Sequence, residues 1–526
     1  MLMLSIKLNS YSFWILFSVV FFVSMAFLLP IRFEENDDVV MLLFASGQYT
    51  GSPEFRLVFI NSIWGLMLKL LYSLTNTIEW YSLLFAICHV FSLSIILWSV
   101  FKKRVNYLYK MLFAGIFLLL EIRFIAQFQF TTTTAMLALS GLALTLENDR
   151  RLLNIGLIIF AISTLIRFEA AILILILFSP LLIKRFLDNN DWKLVKKFGI
   201  TFLLITVFFS INHFSYRMNS DWDSYQKYNK IRGAVNDNPN ASKISEDSYN
   251  AFNVDDYALL LSFFQDYKVI NGETIEEVNS SISAVSLKSK LRNVYPALRK
   301  HTQIIAIVIV LAVLLSFGNS KSNIYYLIAS LLIFLIVCSY VSLNGSLKLR
   351  VLLSCIIVQI YSFLHLNNVS RITVFNASAV IVLLYFSFII TNRTKNIISK
   401  NERWRTTEFQ EQIALFNLYA ENNNDFVLPF AGSLSLEYYP VFQVTTSIPA
   451  KSLSFGGWVT GIPYNKDKIF THIDLIDKNV ILIHKDSYEY LSGKLIKTIQ
   501  HNYNKVVYTK TVAQTENYLL FEMKQK

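Results

Sequence analysis

The chain has 526 residues, which by length alone would suffice for three or four soluble domains. Composition excludes that organisation, because 54% of the residues are hydrophobic, only 16% are charged and the mean hydropathy is +0.45. Average soluble domains carry about 25% charged residues, so we expect a polytopic membrane protein.

The net charge of +12 comes from 48 Lys and Arg against 36 Asp and Glu. Basic excess in membrane proteins collects in cytoplasmic loops, so we do not expect a nucleic acid as partner. The three cysteines, Cys88, Cys338 and Cys355, lie in apolar runs and lack the spacing of metal ligands.

Eleven apolar runs are candidates for membrane spans, which need about 20 residues each. The first, Tyr11–Pro30, is too long for the apolar part of a cleavable signal and lacks a small-residue cleavage site, so we expect it to be retained. The runs lie near 11–30, 81–101, 107–124, 129–146, 152–167, 169–184, 197–214, 302–319, 323–343, 351–367 and 372–391.

The distribution of Lys and Arg predicts a cytoplasmic N-terminus, since thirteen fall in the inner loops and six in the short outer turns. Residues 1–391 then form a transmembrane domain with outer loops 31–80 and 214–300. Within the first loop, the segment 57–75 is apolar but interrupted by Lys69, and we interpret it as an interfacial or re-entrant helix.

The tail, 392–526, is predicted to be a soluble extracytoplasmic domain. The basic cluster Arg393–Arg405 opposes that side, because such clusters prefer the cytoplasm. Strand-forming runs at Asn479–His484 and Asn517–Glu522 and a helix-permissive stretch at Glu408–Tyr419 indicate a small α/β domain. The predicted fold class is therefore mainly α, with about eleven spans and a small C-terminal α/β domain.

The densest acidic segment, Glu34–Asp38, directly follows the first span. Carboxylates at the membrane face are costly to desolvate and are seldom placed there without a partner. One interpretation makes Asp37 or Asp38 a general base that deprotonates an acceptor hydroxyl. The alternative is a solvated loop start that caps the next helix.

The segment after these acids combines a turn with an interfacial helix. The turn contains Gly47, Gly51 and Pro53, followed by Glu54, which is a further candidate substrate contact. Amphipathic aromatic residues anchor such helices to headgroups. The aromatic residues are Trp64, Tyr72, Trp80 and Tyr81.

An Asp-bearing first outer loop with an interfacial helix, many spans and a soluble C-terminal domain resembles the GT-C-fold glycosyltransferases. The local pattern is also similar to that of a group of bacterial membrane proteins assigned to glycosyl transfer. The resemblance implies a polyprenyl-phosphate-linked sugar as donor, a glycan, lipid or protein as acceptor, and a loop carboxylate, Asp37 or Asp38, as catalytic base. It requires no cofactor, although the acidic run could hold a divalent metal.

A second group of candidates follows the seventh span. Tyr225, Tyr228 and Arg232 are spaced i, i+3 and i+7, so a helix would place them on one face. Aromatic rings with an Arg suit sugar stacking and phosphate pairing. The alternative is a helix that packs on the membrane surface.

Outer-facing cations form a third group. Arg292 precedes the eighth span, and Lys348 and Arg350 lie in an outer turn that we expect to have no acidic neighbour to neutralise them. Cations on this side run against the positive-inside rule, and a donor phosphate would explain them. The alternative is attraction to anionic lipid headgroups.

The remaining charged residues are predicted to be structural. We expect ion pairs between Arg167 and Glu169 and between Glu121 and Arg123, and a packing role for His89. Two other functions compete with glycosyl transfer: polymerisation or ligation of lipid-linked glycans, and transport. Charges at span ends and the lack of an internal repeat count against transport.

Overall fold

A computed structural model describes residues 10–103, 105–236, 238, 241, 253–283, 287–317, 319–344, 347–366, 374–420, 427–429, 435–444, 456–459, 461–465, 471–477 and 479–526. The structure is 76% helical and has a small C-terminal sheet. The mainly α fold class is thereby confirmed.

Within the described residues, seven helices are long and apolar enough to cross a membrane, each over a predicted run. The protein therefore has the helices of a multi-pass membrane protein. They are α1 (Tyr11–Leu28), α4 (Trp80–Lys102), α8 (Phe168–Asn189), α9 (Trp192–Arg217), α15 (Lys321–Asn344), α16 (Leu349–Leu366) and α17 (Val374–Thr406).

The other four predicted spans are also helices, but they are short or more highly charged. The helix over the run 107–124 contains Lys110, Glu121 and Arg123. The helices over the runs 129–146, 152–167 and 302–319 have 15, 17 and 15 residues. The count of eleven spans therefore stays a prediction. These helices are α5 (Tyr107–Ala126), α6 (Phe130–Leu144), α7 (Arg150–Ile166) and α14 (Thr302–Ser316).

Contacts between helix ends sort the loops into two groups. At one end, the Arg32 side chain donates to Asn401 of α17, whose amide donates to the Ala126 carbonyl at the end of α5. At the other end, Lys102 after α4 pairs with Glu147 after α6. The loops between these helices thus alternate between the two ends of the bundle, in agreement with the predicted loop order. The acidic segment and the start of the tail lie at the same end.

The outer loop 31–80 contains the helices α2 (Asn36–Ser46) and α3 (Ser62–Leu74). Helix α3 buries Trp64 and Leu68 against the protein and leaves Leu70 and Leu74 exposed. An interfacial helix turns such an exposed row of apolar side chains towards the lipid. The loop 214–300 also folds into helices: α10 (Ser220–Asn236), α11 (Val254–Leu261), α12 (Gly272–Ser283) and α13 (Leu287–Arg299).

Helix α17 continues past residue 391, where the tail is predicted to begin, and ends at Thr406. Helix α18 (Glu408–Ala420) confirms the predicted helix, and both predicted strand runs are strands. The strands of the tail are β3 (Val427–Pro429), β4 (Val480–His484), β5 (Val507–Gln514) and β6 (Tyr518–Gln525), and helix α19 (Lys485–Tyr503) follows β4. They form one sheet in the order β3–β4–β6–β5, in which β3 and β4 are parallel and the other pairs are antiparallel.

The tail shares its apolar core with the outer loop. One cluster of buried side chains contains Phe33 and Phe44 of the loop together with Phe416, Val480 and Leu520 of the tail. The tail is therefore packed onto the end of the helix bundle over the acidic segment.

Candidate functional site

The acidic segment is fixed to the bundle by two short parallel strands. Strand β1 (Arg32–Phe33) pairs with β2 (Gln127–Phe128), and the Glu34 amide donates to the Phe128 carbonyl over 3.0 Å. Helix α2 starts directly afterwards, so Asp37 and Asp38 lie in its first turn. Carboxylates are favoured there because the backbone N–H groups point towards them.

Asp38 is completely buried. Its Oδ1 accepts hydrogen bonds from the Tyr81 hydroxyl (3.0 Å) and the Phe130 amide (3.2 Å), whereas Oδ2 has no hydrogen-bond partner in the described part of the chain. Burial raises the pKa of Asp38 well above its usual range, and the bond from Tyr81 only partly opposes the rise. The site therefore holds one rigidly oriented carboxyl group that favours the protonated form.

Asp37 is only partly buried, so it is the aspartate of the pair that a substrate could reach. Its Oδ1 accepts a hydrogen bond of 2.8 Å from the Trp458 indole of the tail. Burial raises the pKa of Asp37, the Trp458 bond lowers it, and the negative charge of Glu35 raises it further. A carboxylate in this setting is a stronger base than one in free solution.

Trp458 is placed by contacts between the tail and the loop 214–300. The Phe263 carbonyl accepts from the Gly457 amide over 3.1 Å, and a Cβ at Gly456 would lie 2.0 Å from the same oxygen, so a side chain at 456 does not fit. The Tyr225 hydroxyl donates to the Trp458 carbonyl over 2.9 Å. Three segments distant in sequence thus meet at the indole that contacts Asp37.

The cations Lys348 and Arg350 do lie beside the acidic segment, but the expectation that they lack an acidic neighbour was wrong. Arg350 donates to Glu35 and lies 3.9 Å from Glu34, while the Lys348 ammonium lies 3.6 Å from Glu35. Local sequence could not show this, because the pairing carboxylates are more than 300 residues away.

These pairings give the two glutamates different properties. Burial by itself would raise the pKa of Glu35, but the charges of Arg350 and Lys348 bring it below its usual value. For Glu34 burial prevails and raises its pKa, although Arg350 and Arg123 oppose the rise. The acidic segment thus presents an ionised Glu35 beside cations, next to carboxyl groups that bind protons more readily.

Two predicted ion pairs have different outcomes. The Arg167 guanidinium lies 3.0 Å from Glu169, as predicted. The pair between Glu121 and Arg123 was wrong, because Glu121 instead contacts the His89 ring at 2.9 Å in the interior. Residues two apart on a helix point in different directions, which explains the separation. His89 is buried and hydrogen-bonded, in agreement with a packing role.

Glu54 joins the loop turn to the tail. Its Oε1 accepts from the amides of Phe55 and Arg56, and its Oε2 accepts from the Tyr464 hydroxyl. The side chain is buried. In this conformation Glu54 organises the turn, and its predicted contact with substrate stays a prediction.

The predicted face of α10 exists, but it is turned inward. Tyr225 and Tyr228 are buried, and the Tyr228 ring packs edge-on against Tyr267 at 4.9 Å. Arg232 is also buried and donates two hydrogen bonds to the Asn229 side chain (3.0 and 2.9 Å). Stacking of a sugar would require the tail to move away from Tyr225 and the Tyr267 segment of the same loop to move away from Tyr228.

Arg292 lies on α13, a helix that packs against α15, and its side chain is exposed. Nothing in the geometry of the described residues joins it to the acidic segment. Among all the residues that the structure describes, no group of three or more His, Cys, Asp or Glu side chains is arranged to hold a metal ion.

A narrow crevice of about 120 Å³ opens close to the site. Its lining is mixed: Phe59, Phe168 and Phe208 contribute apolar surface, and Asn61, Glu169 and Asn212 contribute polar groups. The Phe59 ring lies between the crevice and Trp458, with ring centroids 5.2 Å apart. Ligand pockets for whole small molecules measure about 300–1,000 Å³, so the crevice is too small for a sugar phosphate.

Sequence reasoning missed Trp458, Glu437 and Asn401. The Glu437 amide donates to the Asn36 side chain, and its carboxylate lies 3.6 Å from Arg32. Only Trp458 carried a usable signal, since a tryptophan directly after two glycines in a polar domain is unusual. Comparison with known protein families, with curated proteins and with solved structures finds no match to this chain.

Proposed function

We propose that the protein is an integral-membrane glycosyltransferase that moves a sugar from a polyprenyl-phosphate donor to a cell-envelope acceptor. The observation that carries the proposal is the pair Asp37 and Asp38 at the start of α2, next to Arg350 and Lys348 and covered by Trp458. The pair lies at the end of the helix bundle onto which the tail packs. We assign this end to the extracytoplasmic side from the distribution of Lys and Arg.

Asp37 is the general base in this scheme. An acceptor hydroxyl attacks the anomeric carbon of the donor, and its proton passes to Asp37. The bond between the anomeric carbon and the phosphate oxygen breaks, and the polyprenyl phosphate leaves with the electron pair. The raised pKa of Asp37 supports this role, because a base works best when its pKa approaches the operating pH.

Asp38 positions the site rather than contacting substrate. It is completely buried, and its Oδ1 is held by Tyr81 at the start of α4 and by the first amide of α6. Rigid helices on both sides thereby fix the first turn of α2, which keeps Asp37 in place. Such support from packed neighbours is what a catalytic group needs for constant geometry.

The donor phosphate would bind at Lys348 and Arg350. The Lys348 side chain is half exposed, so its ammonium is open to an incoming anion. Arg350 donates to Glu35 through Nη1 alone, and a phosphate that replaced this carboxylate would accept from two guanidinium nitrogens at once. Both cations would stabilise the charge that develops on the leaving phosphate.

The test is release of polyprenyl phosphate from labelled polyprenyl-phosphate sugars by the purified protein in nanodiscs, with cell-envelope extract as acceptor. We expect wild-type protein to turn over at least one hexose or pentose donor and Asp37→Asn to lose about 10²–10⁴ in rate. Asp486→Asn is the matched control, because the side chain of this tail aspartate is 91% exposed and lies beside His484 rather than beside a residue of the site.

The products also separate the competing functions. A single transferred sugar supports the proposal, whereas transfer of a preassembled lipid-linked glycan would indicate a polymerase or ligase. No donor consumption, an unchanged envelope glycan profile in cells lacking the gene and altered uptake of small molecules would together refute glycosyl transfer in favour of transport.

A further inference from the structure

A second cavity, of about 680 Å³, lies at the end of the bundle opposite the acidic segment. Helix α8 connects the two ends: it begins beside Arg167, whose guanidinium lies over the Phe59 and Phe130 rings near the site. With 22 residues, the helix rises roughly 33 Å before it reaches the cavity. The volume falls within the range of about 300–1,000 Å³ found for pockets that bind small ligands.

The lining of this cavity is strongly basic. Five cations and one carboxylate face it, an excess of four positive charges. The positive-inside rule accounts for exposed cations at this end of a membrane protein, but it does not account for a buried one. The charged lining residues are Arg150, Arg185, Lys193, Lys196, Lys197 and Asp191.

Arg185 is the buried cation, with 9% of its surface exposed. Its nearest carboxylate oxygen, on Asp191, lies 3.8 Å away, beyond hydrogen-bond distance. Its Nε and Nη1 are buried and have no hydrogen-bond partner among the described residues. A buried guanidinium with unused donors is costly unless a ligand accepts from it, and phosphate oxygens match its planar fork.

Two helix starts border the cavity. Helix α7 begins at Arg150 and α9 begins at Trp192, and both residues line the cavity. Aspartates already cap both helices, since Asp149 accepts from the Arg151 amide and Asp191 from the Leu194 amide, so the attraction for an anion comes from the cationic side chains. Trp192 is 61% exposed and packs edge-on against Phe186, as expected for a ring at the depth of lipid headgroups.

We infer that this cavity binds the phosphate group of an anionic compound at the membrane surface, with Arg185 as its central ligand. Lys193 and Lys196 would hold the outer oxygens, since both are exposed at the rim. The phosphate could belong to an anionic lipid headgroup or to a soluble compound, and the chemistry of recognition is the same. The inference is independent of the proposed glycosyl transfer.

The experiment measures the thermal stability of the purified full-length protein in detergent against added short-chain phosphatidylglycerol, phosphatidylcholine or inorganic phosphate. We expect saturable stabilisation of the wild type by phosphatidylglycerol. Arg185→Gln should raise the half-saturating concentration about tenfold or more, since hydrogen bonds between charged groups are lost. Lys184→Gln is the matched control, because Lys184 pairs with Asp188 and does not line the cavity.

The double variant Lys193→Gln/Lys196→Gln removes two exposed charges and gives a second measurement if Arg185→Gln fails to fold. A weaker but clear rise in its half-saturating concentration supports the site. Saturation by inorganic phosphate alone, with no further gain from phosphatidylglycerol, supports the site and identifies a soluble ligand. Equal stabilisation by phosphatidylcholine and phosphatidylglycerol, or unchanged half-saturation in the folded variants, would overturn the inference.

Discussion

Replacing Trp458 by Phe tests whether the tail tunes the basicity of Asp37. The change removes the indole N–H that donates to Asp37 Oδ1 over 2.8 Å. A phenyl ring keeps most of the apolar contact with Phe44 and Phe59, whose rings lie 5.8 and 5.2 Å from that of Trp458. The variant therefore isolates the hydrogen bond from the packing.

The expected effect follows from the strength of a hydrogen bond to a charged group, about 1.5–3 kcal/mol. A free energy of about 1.4 kcal/mol corresponds to a factor of ten in an equilibrium constant, so losing the bond raises the pKa of Asp37 and lowers the ionised fraction of this base on the acid limb about tenfold or more. The sign is upward because the N–H stabilises the ionised carboxylate. A general base is active when deprotonated, so the acid limb of the rate profile moves to higher pH.

The assay is kcat/KM for sugar transfer as a function of pH, measured on the wild type and on Trp458→Phe. Trp80→Phe is the matched control, because it also removes an indole donor, one that bonds to the Thr75 carbonyl instead. We expect its profile to coincide with that of the wild type. An acid limb that stays in place or moves to lower pH in Trp458→Phe would refute the tuning of Asp37 by the tail.

Three further predictions concern the pairing at the site, a buried glutamate and the arrangement of the loops. Arg350→Ala should lower kcat and raise the apparent KM for donor, each about tenfold or more, while Arg350→Lys recovers part of the loss; equal rates in all three proteins would remove this residue from the site. Burial raises the pKa of Glu79 to about 8, so its stabilisation of the fold is complete below pH 4.5 and is lost as the pH rises through 8. The melting temperature of Glu79→Gln, relative to that of the wild type, should therefore rise between pH 5 and pH 9. A difference between the two melting temperatures that does not change with pH would contradict this. Single cysteines at Ser73 and Asp486 should react with a membrane-impermeant reagent from one side of the membrane and one at Asn189 from the other, whereas reaction of all three from the same side would refute the alternation of the helices.

Local pattern predicted the elements of this protein better than their contacts. The strand β4, the helix α18 and the common face of Tyr225 and Tyr228 follow from periodicity within a short window. The bond between Trp458 and Asp37 joins residues 421 positions apart, and the pair of Arg350 and Glu35 spans 315.

Such contacts depend on which faces of the membrane-spanning helices pack against one another. Helix α1 shows why a single sequence does not reveal those faces, because it is apolar around its whole circumference and only 17% of it is buried inside the protein. In lipid, an apolar residue gives no preference between a helix neighbour and a hydrocarbon chain. The partners of the acidic segment therefore became visible only from the packed structure.

The separation of 421 residues between Asp37 and Trp458 also sets an order of events during synthesis. At about 5–20 residues per second, the acidic turn exists for roughly 20–80 s before the ribosome reaches the indole that completes its surroundings. Until then the membrane helices carry the carboxyl groups without their cover, and the nascent protein lacks the assembled site. A chain truncated between Thr406, where α17 ends, and Trp458 would keep every predicted span and still leave Asp37 without its tail partner, so premature release there yields an inserted but unfinished protein.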